Sequence, residues 1–173
     1  FFGQSLAQLA AGIVKEVYGV DGAGLGWLTA MYGVGTLASS IILVVYGDRV
    51  PRSAMVRGGL ALFVLGICVS VSTTTLAVGL LGFLIAGMAH SLTGISLNTS
   101  IQVQIEDGFR GRAVTAYLMA LLAGMPLGAF VGGVLADRFG LRQTLGGYAA
   151  AIAGFLIYAQ LRRNGLAAVD NNT

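Results

Sequence analysis

Few side chains in this sequence can do chemistry, and only a handful of those sit inside apolar runs. His90, Gly94 and Asn98 recur every four residues, flanked by Ser91 and Thr93, so on a helix they share one face. Gln4, Gln8 and Lys15 form a second stripe at spacings of four and seven. Amides and an imidazole in such places can bind and orient a polar solute, and an imidazole, which titrates near neutral pH, can also carry a proton. The same groups can serve as hydrogen-bond glue between helices. Bond-breaking chemistry is not expected. The sequence has no His-Glu-x-x-His, no Gly-x-Ser-x-Gly and no pair of aspartates within an apolar run, so no catalytic group is offered and a membrane-embedded enzyme is the least expected reading. Cys68 is the single cysteine, which rules out an intrachain disulfide and a Cys-rich metal site. No metal and no cofactor are expected. A phosphate-cradling Gly-x-x-x-x-Gly-Lys-Ser/Thr loop is also missing, so any energy source would be an ion gradient or the solute's own.

The elements that position these groups follow from composition. Of 173 residues, 56% are hydrophobic and only 10% charged, far from the mix of a soluble domain. The net charge of +3 is spread over short arginine clusters without interleaved aromatics, which speaks against nucleic acid as a partner. About 20 apolar residues carry a helix across the ~30 Å hydrocarbon core, and the chain divides into helices at about 1–17, 23–46, 54–72, 76–101, 113–136 and 143–161. Runs such as "LALFVLGICVSV" and "AVGLLGFLIAGMA" are apolar on all sides, whereas barrel strands would alternate. The fold expected is an all-α integral membrane bundle of six helices. Phe1 is already apolar with no basic stretch before it, so the first helix reads as truncated and the chain as a fragment that begins inside it. Residues 162–173 are polar and read as a disordered tail.

Between the apolar runs lie knots of charge. "GDRVPR" brings Asp48, Arg49 and Arg52; "QIEDGFRGR" brings Glu106, Asp107, Arg110 and Arg112. With six crossings, Arg49, Arg52, Arg57, Arg110, Arg112, Arg162 and Arg163 fall on one side and Lys15, Arg138 and Arg142 on the other. The arginine-rich side is then cytoplasmic, and with it the C-terminus. Two roles fit the knots. They can fix topology, or they can exchange salt-bridge partners as parts of the protein rock. Exposed pairs contribute only about 0–1 kcal/mol each, so several would act together.

The fifth run contains "GMPLGAFVGG", in which Gly124, Gly128 and Gly132 recur every four residues around Pro126. A stripe of small residues lets two helices approach closely, and proline opens the hydrogen-bond ladder. A hinge and tight static packing would use the same residues.

"GDRVPR" followed by "NTSIQVQIEDGFRGRAVTAYLMALLAGMPLGAFVGGVLADRFG" resembles the C-terminal half of major facilitator superfamily transporters, in the bacterial branch with the enterobactin exporter and macrolide-efflux proteins. The similarity runs from "GLGWLTAMYGVGTLASS" to the last helix. It departs from the family's loop motif at Pro51, where a second glycine is usual; the loop around Asp137 fits that motif better but falls on the opposite face. The resemblance implies that these six helices are the seventh to twelfth of twelve. It makes an absent N-terminal six-helix half the partner, alongside the bilayer and a small-molecule substrate. It places the first and fourth helices on the central cavity, and so Gln4, Gln8, His90 and Asn98 on the substrate pathway. The activity implied is secondary transport by alternating access, an efflux of an amphipathic small molecule driven by protons in antiport, in the bacterial inner membrane. All the acids, Glu16, Asp21, Asp48, Glu106, Asp107, Asp137 and Asp170, lie in loops, helix ends or the tail. A coupling carboxylate is therefore expected in the other half, with His90 as the rival. The alternative is a non-transporting six-helix assembly module, or a half-sized transporter acting as a dimer.

Overall fold

The computed structural model describes residues 6–20, 22–105 and 107–161, apart from the side chains of Asp48, Asp107 and Arg110. Among them only helices and turns occur. We number the helices along the chain. α1 is a short α-helical piece, Ala10–Gly12, that runs into a π-helical turn, Ile13–Tyr18. α2 is Gly22–Tyr46, followed by a 3-10 turn at Gly47–Arg49. α3 is Arg52–Val71, α4 Leu76–Gln104, α5 Asp107–Phe139 and α6 Leu141–Leu161. From α2 onward each is long and apolar enough to span a bilayer; the shortest, α3, has 20 residues, or about 30 Å of helix. Backbone polar groups in hydrocarbon must be satisfied internally, which is why such runs are helical.

Several helices overrun the apolar runs of the sequence reading, and two of these boundaries bear on the charged stretches. α4 continues through Gln104 and α5 starts at Asp107, so the knot "QIEDGFRGR" is not a loop of nine residues: Arg110 and Arg112 sit on the first turns of α5. Charged residues end the apolar run but do not end the helix, which extends past the hydrocarbon where water can solvate them. Likewise α3 begins at Arg52, directly after Pro51, a residue that suits the start of a helix because it lacks an N–H to leave unpaired. The expected disordered tail at 162–173 lies outside the described residues.

α4 is the central element. It is packed along its length between α3 on one side and α2 on the other, while α6 lies against α3 and α5. Close approach is made by glycine. A Cβ on Gly66 would lie 2.9 Å from both the Ala86 nitrogen and the Gly82 oxygen of α4. Gly35 of α2 similarly lies on the backbone at Leu84 and Met88, and Gly87 on that of Tyr32. Small residues that let backbones touch are the means by which helices associate where no hydrophobic drive exists between them. The buried core comprises Leu6, Ile13 and Val17 of the first segment, Leu28, Phe63, Ile67, Phe83 and Ala86, with Leu145 and Ile152 of α6.

Two hydrogen bonds tie the loops at one end together. The Tyr18 hydroxyl donates to the Ser70 carbonyl at 2.6 Å, and the Arg142 guanidinium to the Thr73 carbonyl at 3.1 Å. The end of α1, the α3–α4 turn and the α5–α6 turn therefore share one face of the bundle, as alternating crossings require. At that face Gly140, with φ +86°, lets α5 reverse into α6 through a single residue. Outward, α2 and α5 expose Val34, Leu37, Ile41, Leu122, Leu127 and Phe130, an apolar surface that suits lipid or another bundle and not water.

Candidate functional site

α4 carries the polar groups. His90 is half-buried and faces Tyr32 of α2, with ring centroids 6.0 Å apart and planes inclined by 41°. One residue further along α4, Ser91 shares a 2.7 Å hydrogen bond with Ser40 of α2. Asn98, also half-buried, accepts a 2.7 Å hydrogen bond on its Oδ1 from the Gln102 Nε2. Between these two levels the Tyr117 hydroxyl of α5 donates to the Gly94 carbonyl at 3.3 Å.

The arrangement thus gives an imidazole paired with a phenol, and four residues beyond Gly94 a linked pair of amides. The amide pair retains an Asn98 N–H₂ and a Gln102 carbonyl for a solute, so it can both donate and accept. The Tyr32 and Thr93 hydroxyls are buried with no hydrogen-bond partner among the described residues. Such orphans disfavour the conformation by about 1–3 kcal/mol each, and so each would gain from a water, a solute or a rearranged neighbour.

Of the residues the sequence singled out, Asn98 and His90 lie on one helix, at separate levels with separate partners. Gln8 is exposed on the first segment and makes no hydrogen bond among the described residues, so the structure does not join it to the α4 groups. Gln4 lies outside the described residues. Tyr32 and Gln102 escape sequence reasoning: Gln102 because the fourth apolar run ends at Ile101, although it continues the four-residue stripe, and Tyr32 because nothing in its own helix marks it.

In the charge clusters, Arg49 is exposed and its guanidinium lies over the Tyr46 ring, 5.5 Å from the centroid, a cation–π contact within one chain turn. Arg52 is half-buried and Arg112 exposed. Glu106 and the side chains of Asp48, Asp107 and Arg110 lie outside what the structure describes. On α5, Gly128 and Gly132 are buried and Gly124 half-buried, while Pro126 is exposed within a continuous helix. The Tyr148 hydroxyl of α6 donates to the Gly128 carbonyl at 3.3 Å. A Cβ at Gly132 would sit 2.9 Å from Leu9 Cδ1 and 3.1 Å from the Tyr148 oxygen, so this stripe faces the first segment and α6.

A bundle of apolar spanning helices with polar groups between them is a multi-pass membrane protein. Residues 1–167 match the Major Facilitator Superfamily, and the chain belongs to that family of transporters; it is not an enzyme. It is 32% identical over 136 residues to a protein named chloramphenicol efflux pump Rv0191 of Mycobacterium tuberculosis (strain ATCC 25618 / H37Rv), an alignment covering 73% of this chain and 32% of that protein. It is 26% identical over 130 residues to an uncharacterized MFS-type transporter, YwfA, of Bacillus subtilis (strain 168), again with 73% and 32% covered. The alignments span about a third of these relatives' length. No solved structure matches the chain.

Proposed function

We propose that the chain is the C-terminal half of a bacterial inner-membrane exporter of amphipathic small molecules, working by alternating access and driven by proton antiport, with its C-terminus in the cytoplasm. The observation that carries this is the family match over 1–167 together with relatives named as efflux pumps. The geometry is compatible: α2 and α5 present exposed apolar surface to a second bundle, and α4 holds His90, Asn98 and Gln102 at mid-span and toward one end. The amide pair orients the polar end of a solute, and the apolar surroundings accept the rest. A proton-coupling carboxylate belongs to the other half, because no acid lies at the middle of a span in this one.

Chloramphenicol, from the names of two relatives, and a macrolide, from the resemblance to that branch, are the compounds to test. The full-length protein is expressed in an efflux-deficient bacterial host and drug accumulation is followed. Lowered accumulation of either drug, restored by a protonophore and weakened by Asn98→Leu, is expected. Unchanged accumulation of both, with the protein present in the membrane, overturns the proposal.

A further inference from the structure

Where α5 turns into α6, the two helices leave a groove of about 520 Å³ lined by Leu135, Phe139, Gln143, Thr144, Gly147 and Tyr148. Its walls are mostly hydrocarbon. The Thr144 hydroxyl is engaged by the Gly140 carbonyl at 3.0 Å, and Tyr148 by Gly128, so those hydroxyls are not left facing an apolar occupant unsatisfied. On α6 the groove continues as a furrow of small residues, Gly147, Ala151 and Gly154, all exposed, at helical spacings of four and three that keep them on one side. Nothing lies within 4 Å of where a Cβ on Gly147 or Gly154 would be. Glycine within a helix weakens it, and here no neighbouring helix makes use of the space.

The rim of the groove is cationic. Arg138 is three residues after Leu135 and so lies beside it on α5, at the edge of the groove; Asp137, two residues after Leu135, falls on the opposite side of that helix. Arg138 is exposed and has no ion pair or hydrogen bond among the described residues. Arg142, across the turn, points away from the groove residues of α6 and is held by the Thr73 carbonyl. Arg138 stands where α5 leaves the apolar span, at the level of the headgroup layer. An apolar furrow that opens into the hydrocarbon beneath an unpaired guanidinium has the chemistry of one amphiphile. We propose that this is a glycerophospholipid site: one acyl chain lies in the groove and along the Gly147 furrow, and the phosphate is bound by Arg138.

The site is independent of what the protein transports. Its test uses the full-length protein in detergent micelles and a phosphatidylglycerol bearing a photoactivatable diazirine on one acyl chain, with labelled peptides located by mass spectrometry. Label is expected on the stretch 135–148, competed by unlabelled phosphatidylglycerol and not by diacylglycerol of the same chains, which lacks the phosphate. R138Q should cut that labelling about tenfold, the scale of removing one charge-assisted hydrogen bond, and R138K should restore most of it. G147F, which fills the furrow, should abolish labelling there while leaving Arg138 in place. Labelling of 135–148 that is indifferent to R138Q, or equal competition by diacylglycerol, overturns the proposal. So does absence of label there combined with cross-linking of Gly147→Cys to the other half, which would mean that protein covers the groove.

Discussion

At the scale of single residues, the structure separates groups that hold the bundle from groups left available to a solute. Tyr18 belongs to the first kind: its hydroxyl is buried against the Ser70 carbonyl and its ring lies on Gly79. Tyr18→Phe should lower stability by about 1 kcal/mol, the net value of such a bond, in a thermal-unfolding assay in detergent, with transport intact in the folded fraction. His90 is the one side chain well inside an apolar run whose ordinary titration falls near neutral pH, yet its neighbour is a phenol and not a carboxylate. The pH dependence of export should therefore survive His90→Gln unchanged. Loss of proton-driven export with drug binding retained would move the coupling role to His90. The four-residue spacing makes His90 and Asn98 legible in the sequence. The partner of His90 is not: Tyr32 belongs to another helix, and only the packing of α2 on α4 brings it near.

At the scale of elements, runs and their order can be read from composition, but ends and faces cannot. Charge marks where hydrocarbon stops, and a helix has no reason to stop there, so α4 and α5 both extend into the charged stretch between them. Faces are hidden where a helix such as α3 is apolar on nearly every side, leaving no polar stripe to say which side turns inward. Glycine is the readable exception in α5, where Gly128 and Gly132 are both buried. Gly132→Leu should cost about 1–3 kcal/mol as an overpacked position, because even a Cβ there meets Leu9 and Tyr148. Gly133→Leu, with nothing within 4 Å, should be tolerated. Equal melting shifts for the two variants would show that α5 does not pack through this stripe.

For the whole molecule, alternation of crossings fixes which loops share a face, and the Tyr18–Ser70 and Arg142–Thr73 bonds join the loops of one end. Single cysteines at Thr74 and Arg112, in a Cys68→Ala background, should therefore react with an impermeant thiol reagent from opposite sides of the membrane, with Arg112→Cys labelled from the cytoplasm. Labelling of both from one side would break the topology. The seating of α4 between α2 and α3 bears on biogenesis. Because the three helices are consecutive, and α4 meets its neighbours through glycines on all three, a ribosome that has just released α4 has supplied every surface this three-helix unit requires. α5 and α6 then arrive as late additions, secured by the hydroxyls of Tyr117 and Tyr148 and by α6 lying on α3. A nascent chain halted after Gln104 should already hold its central unit together, before the translocon has received the rest.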